Sequence, residues 1–461
     1  MDDDPLDFEM EDKILSIPHP ATKRRKVIGL DDLLTDYYTE KSKLHESKSK
    51  WSRKSKGNNS DEEDEKAQEN EKKFSKLFAK CQKEVNEMNT EDEIPLWGQR
   101  IFGCQKHPLP ISCTGPENCE LLQAFANNEL NSVLDLNVQQ EISLEGLLIN
   151  GWLLQLALNC GFVEDSIASW TFYQMLYSSN EELEVSACDF WCNILLSKNE
   201  ADQPLLKLGW FPSYSKLKDA LEIYGYMYDS SPSQDIKTDF GCEGPPRNII
   251  SWIKILSACC QIRSLRSIFS ISEVEELLVV LIHLFLDRQL EGLSPILDEC
   301  LQSIIGFFSE SEWDASCKKV ADSIANKIPK DLNCLRIVEC ISGVGNRAKN
   351  LRSQLAFHIL KNCFDENITS SKDILELLVS MQLKEKNFDF FKLYIYLVLA
   401  ENMLLSYHPL EERDVITDMW CKYLRNCSSQ ITSTDWRSYA SKVRYRASYL
   451  LQNTIQRRNC Q

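Results

Sequence analysis

The sequence predicts an all-α protein: an irregular α-solenoid or helical array of HEAT-like kind, preceded by a disordered N-terminal tail. Three observations carry this. From about Gln139 onward, apolar residues recur with helical spacing behind Ser, Asp or Asn cap residues. Long runs of alternating apolar and polar residues are absent, so no sheet is expected. Residues 1–93 hold 24 acidic and 18 basic residues with few aromatics, too little apolar surface to offset the entropy of ordering.

The totals narrow the function classes. The 461 residues have a formal charge of −17, which argues against coating nucleic acid through a global positive field and favours protein partners. The acidic start, Met1-Asp2-Asp3-Asp4-Pro5, has no apolar core of a secretory signal, and no run approaches a membrane span. Eighteen cysteines in a chain expected in a reducing compartment read as buried thiols acting as small hydrophobes.

Four islands interrupt the tail. Lys23, Arg24, Arg25 and Lys26 follow Pro18 and Pro20 as a compact basic cluster of the nuclear-import type. Leu30, Leu33, Leu34 and Tyr37 fall on one helix face, with Asp31 and Asp32 at its start and Lys41 and Lys43 beyond its end. So short a helix is marginal alone, so it either folds into a partner's groove or docks on the chain's own body. The Lys/Ser stretch from Lys41 to Lys56 around Trp51 reads as a linker, and Ser60 before Asp61-Glu62-Glu63-Asp64-Glu65 as an acid-directed phosphorylation site. Phe74, Leu77, Phe78, Cys81, Val85 and Met88 form one stripe that must cover either the body or a partner.

The body, residues 94–461, opens on Ile94-Pro95-Leu96-Trp97-Gly98-Gln99-Arg100-Ile101-Phe102-Gly103. Apolar, aromatic and punctuated by Pro and Gly, it suits an irregular latch whose Trp97 and Phe102 are pinned in a groove; an ordinary extended lead-in is the alternative. A Pro/Gly/Cys loop follows at 104–119. Helices are expected at Leu144–Cys160, ended by Gly161, then Ser166–Tyr177, Glu181–Ser197 and Tyr214–Tyr228. The Pro/Gly-rich loop 229–247 is the expected subdomain joint. Helical signals resume at Asn248. Ser272 and Glu275 have capping-box spacing, Ser294-Pro295 marks a start, Ser311 opens the next helix and Pro329 closes it. Further helices are expected at Asp331–Ser342, Lys349–Phe364, Lys372–Gln382, Phe388–Ser406 and Glu411–Cys427. The last, Thr434–Arg457, has the stripe Trp436, Ala440, Val443, Ala447 and Leu450.

Signatures of catalysis are missing: there is no phosphate-binding loop, no G-x-S-x-G and no H-E-x-x-H, and Gly343-Val344-Gly345 is explained by a helix end. His283 and His358 read as packing or surface residues. Cys104, His107, Cys113 and Cys119 offer the ligand types of tetrahedral zinc, a weak candidate because no C-x2-C pair is present. No cofactor and no enzymatic activity are expected.

The acidic motif-bearing tail, the latch residues Ile94-Pro95-Leu96-Trp97-Gly98 and Ile101-Phe102-Gly103, and the helical body together resemble the CANIN-domain family. These are the non-SMC element six-type subunits of the SMC five–six complex; the likeness is to the plant branch that associates with an SNI-type negative regulator of immunity. The resemblance implies a nuclear, non-enzymatic subunit that pairs through its body with a helical non-SMC element five-type subunit. It implies tail contacts to the SMC ATPase core, DNA contact only indirectly or weakly, and neither membrane nor small-molecule substrate. DNA repair, recombination, chromosome maintenance and restraint of plant defence genes follow from it alone. Leu30, Leu33, Leu34, Tyr37, Phe74, Leu77, Phe78, Trp97 and Phe102 are the expected partner-binding residues. Two other readings stay open: an unrelated nuclear helical scaffold, and a zinc-containing nucleic-acid-binding module on Cys104–Cys119.

Replacing Lys23, Arg24, Arg25 and Lys26 by Ala in a fluorescent fusion of the full chain is expected to shift it from nucleus to cytoplasm. A fusion that stays fully nuclear contradicts the import reading of the cluster.

Overall fold

A computed structural model of the protein describes residues 97–108, 144–197, 206–228, 244–364, 368–405 and 410–459, apart from positions 386, 433 and 436. Among them the chain is all-α, with 15 α-helices. They are α1 (Leu144–Ile149), α2 (Trp152–Cys160), α3 (Asp165–Tyr177), α4 (Glu181–Leu196), α5 (Tyr214–Ile223), α6 (Ile249–Gln261), α7 (Ile271–Leu284) and α8 (Ser294–Phe307). Then come α9 (Glu310–Ala325), α10 (Leu332–Glu339), α11 (Asn346–Phe364), α12 (Ser371–Ser380), α13 (Phe390–Met403), α14 (Leu410–Gln430) and α15 (Ala440–Asn459).

The helices stack mainly as second neighbours. α4, α6 and α8 form one row; α7, α9, α11, α13 and α15 form another, and α12 packs on α14 beside it. Consecutive helices thus fall in different layers, the arrangement of an α-solenoid. The apolar stripes explain it: α6 buries Ile249, Trp252, Ile253, Ile255 and Leu256, and α13 buries residues nearly all round because helices lie on several sides of it.

Several polar groups carried inward are matched. The Trp252 indole donates to the Leu217 carbonyl at 2.9 Å, tying α6 to α5. Asn248 Nδ2 donates to the Met175 and Ser178 carbonyls, each at 3.1 Å, satisfying carbonyls at the C-terminal end of α3. Between Cys260 and α9, Arg263 grips Glu312 through two nitrogens at 2.8 and 2.7 Å.

The caps follow the sequence with instructive shifts. Asn180 caps α4, and Gly161, at φ +76°, closes α2. The expected single helix over 144–160 is broken at Gly151, whose φ of +74° lies outside the right-handed helix. The capping box of α7 is Ser270–Glu273, not Ser272–Glu275, because Glu275 is buried and pairs with Lys319. Ser309–Glu312, rather than Ser311, opens α9. Ser294 is the first residue of α8 after a 3-10 turn at Arg288–Leu293. The helix expected from Tyr214 stops at Ile223 because the chain reverses at Gly225, φ +90°. The last begins at Ala440, after Tyr439 at φ +62°, and its buried residues Ala440, Val443, Ala447 and Leu450 are the expected stripe; Trp436 lies outside the described residues.

One expectation needs correcting: extended pairing is present. β1 (Phe162–Val163) pairs in parallel with β2 (Lys207–Leu208), and Phe102 forms an antiparallel bridge with Tyr226. Pairs this short leave no alternating pattern to detect. Of loop 229–247, residues 229–243 lie outside the described residues; on its two sides α4 and α6 pack together.

Candidate functional site

The described part of the latch, Trp97 to Gly103, with the first residues of the loop that follows it, lies across three places that are far apart in sequence. It cannot form helical hydrogen bonds, so each buried amide needs an acceptor from elsewhere. Gly98 N–H donates to Asn333 Oδ1 at 2.7 Å, in the first turn of α10. Gln99 N–H donates to the Leu286 carbonyl at 2.9 Å and Ile101 N–H to Asp287 Oδ2 at 3.3 Å, in the turn after α7. Beyond that point the latch pairs with the reversal after α5. Met227 N–H donates to the Ile101 carbonyl at 3.0 Å, Gly103 N–H to the Gly225 carbonyl at 2.7 Å, and Lys106 N–H to the Ile223 carbonyl at 2.8 Å.

Side chains reinforce the path. The Arg336 and Arg288 guanidinium groups lie over the Trp97 ring, 4.5 and 5.4 Å from its centroid. Phe102 is 2% exposed and meets Tyr226 edge to face at 5.8 Å. Two glycines make the approach possible. Gly98 has φ +118°, and a Cβ there would stand 2.8 Å from Arg288 Nε; a Cβ on Gly225 would stand 2.8 Å from the Cys104 carbonyl oxygen. Asp287 is the hinge of the arrangement: its other oxygen accepts from Gln289 N–H at 3.0 Å and caps the 3-10 turn. Burial pushes its carboxyl pKa up, and the amides of Gln289 and Ile101 and the Arg100 charge oppose that.

Beside the latch is a cleft of about 440 Å³, bounded by Gln99, Ile101, Tyr214, Tyr226, Tyr228 and His283 among others. Tyr214 Oη donates to Glu276, and the Tyr226 and Tyr228 rings meet at 4.7 Å. Burial, then the neighbouring Lys327, holds the His283 pKa down at about 4, so the ring is neutral at pH 7. His358 packs at the surface of α11 with Nδ1 3.2 Å from Asp322 Oδ1. The cleft thus has aromatic walls and a neutral imidazole, and the latch beside it has its amides matched.

The other expected sites are placed as follows. Cys104 and His107 are exposed, while Cys113 and Cys119 lie outside the described residues; among the described residues no group of three His, Cys, Asp or Glu is placed to hold a metal ion. Nine of the described cysteines are buried, and burial pushes the thiols of Cys260, Cys317 and Cys334 up to about 12, so they stay protonated and pack as apolar groups. Lys23 to Lys26, Leu30, Leu33, Leu34, Tyr37, Ser60, Phe74, Leu77 and Phe78, with Ile94 to Leu96, lie outside the described residues. Phe102 is enclosed by the chain's own core, and Trp97 is partly exposed. Sequence reasoning missed the receiving residues, Asp287, Asn333, Arg288, Arg336 and Gly225; only the cap position of Asp287 left any local trace. Among the described residues no helix is long and apolar enough to cross a membrane.

Comparison of the chain with models of known protein families and with curated proteins gave no match.

His283 sets a pH limit. Its folded-state pKa lies below the unfolded value of about 6.5, so its contribution is present above that pH and is lost as pH falls towards 4. The full loss is on the order of 3 kcal/mol. Denaturant titrations of His283→Gln are expected to show a flatter decline in stability between pH 6.5 and 4 than the parent; parallel declines contradict the assignment.

Proposed function

We propose that the chain is a non-enzymatic, protein-binding subunit of the nuclear SMC five–six complex. Its helical body holds a second helical subunit of the non-SMC element five type, the SNI-type regulator in plants. Its N-terminal motifs, with Leu30, Leu33, Leu34 and Tyr37 foremost, engage the SMC ATPase core. Through these contacts it acts in DNA repair, recombination and chromosome maintenance, and in plants in restraint of defence gene expression; DNA is met through the complex.

The observation that carries the reading is the latch. Its described residues Trp97, Gly98, Ile101, Phe102 and Gly103 are among those on which the family resemblance rests. They are seated by Arg288, Asn333, Asp287 and Tyr226 of a second-neighbour helical stack. Such stacks bind proteins along extended surfaces.

The test is co-expression of the full chain with the SNI-type subunit and with the SMC pair. The parent chain is expected to co-purify with both. Leu33→Asp with Leu34→Asp is expected to weaken capture of the SMC pair at least tenfold and to leave the helical heterodimer intact. A parent chain that captures neither refutes the proposed function. A double variant that captures both at parental levels refutes the role of the Leu30–Tyr37 motif.

A further inference from the structure

The outward side of α15 carries a combination found nowhere else among the described helices. Tyr445 and Tyr449 are 71% and 64% exposed, one turn apart, and Ile455 is 40% exposed further along. The inward residues Ala440, Val443, Ala447 and Leu450 are buried against α13 and α14, and Arg446 anchors the helix by binding Glu401 of α13 at 2.8 Å. With 3.6 residues per turn, the two tyrosines fall at the middle of the outward arc, Lys442 on one flank and Arg444 on the other. The stretch 436–461 carries six Lys or Arg and no Asp or Glu, in a chain of formal charge −17.

We propose that this side of α15 is a docking surface for an acidic amphipathic helix of a partner protein, a reading that rests on the body's holding a helical subunit. Tyrosine suits such a contact because its ring supplies apolar area while its hydroxyl keeps a hydrogen-bond partner or water. Large side chains one turn apart match the once-per-turn anchors of a helix lying along a helix. The two flanking cations match acidic residues on the rim of the partner's apolar stripe and steer its approach. A second copy of this chain fits less well, since its α15 would bring the same positive charge. Nucleic acid fits less well too: Lys442 and Arg444 are two cations, where a phosphate backbone is held by many.

The experiment uses the full chain and the SNI-type subunit, with affinity measured by biolayer interferometry at two salt concentrations. Two double variants are compared with the parent: Tyr445→Ala with Tyr449→Ala, and Lys442→Glu with Arg444→Glu. Tyr445 and Tyr449 are outside the buried face, so far-ultraviolet circular dichroism and melting of that variant are expected to be unchanged; Lys442 lies 4.2 Å over the Tyr439 ring, so if the charge pair lowers the melting temperature, Arg444→Gln alone replaces it. If the tyrosine pair lowers the melting temperature, Tyr449→Ser alone replaces it. The tyrosine variant is expected to bind at least about tenfold more weakly, and the charge variant to bind more weakly at low salt with the salt dependence reduced. Parental affinity in both variants overturns this inference and leaves the proposed function standing, whereas no binding by the parent overturns both. Binding of a fluorescein-labelled single-stranded oligonucleotide by the parent, lost in the variants while subunit binding persists, also overturns it and assigns the surface to nucleic acid.

Discussion

Asp287 holds the described structure together at its least regular point. A helical array satisfies its own backbone, but the turns between helices and any strand laid across them do not. Asp287 answers both needs at once, capping the turn after α7 through one oxygen and taking the Ile101 amide through the other. Remove the carboxylate and the buried Ile101 amide loses its acceptor, a loss of about 1–3 kcal/mol, while the half-buried Gln289 amide loses its cap. The cost of keeping it is visible as well, since burial raises its pKa even against the Gln289, Ile101 and Phe102 amides and the Arg100 charge.

The consequence is mechanical. α5, α7 and α10 belong to separate stretches of sequence, and the latch bonds to the turn or first residues of each. A single irregular segment therefore crosslinks α5, the turn after α7 and α10, with Phe102 enclosed in the core and the Trp97 ring close to two guanidinium groups. Burying a side chain such as Phe102 is worth about 1.5–3 kcal/mol. The fastening thus combines apolar burial with directional bonds. It leaves Trp97 partly exposed at the point where the chain enters the body from its N-terminal side.

Most of the helices were legible because their information is local. Asn180, Asp331 and Ser370 cap where a cap residue precedes a periodic stripe, and Gly161 ends its helix by reaching a positive φ. What was missed depends on distant neighbours. Ser270 wins over Ser272 because Glu275 is taken by Lys319 across the stack, and the turn at Tyr439 is imposed by packing against Phe391 and Tyr394. The latch was readable as a non-helical aromatic segment from Trp97, Gly98 and Phe102. Its receiving groups were not, because in sequence Asp287 looks like an ordinary cap residue and Asn333 like an ordinary first-turn residue. No local pattern tells which amide 186 or 235 residues away they will accept.

The account's central claim, that the latch is an integral part of the body, is tested most directly by hydrogen exchange of the full chain read out by mass spectrometry over residues 97–106. Protection of the Gly98, Gln99, Ile101 and Gly103 amides comparable to that of α7 and α10 is the predicted result, with protection lost selectively in Asp287→Ala. Exchange of these amides at the rate of a free peptide in the parent chain would contradict the account.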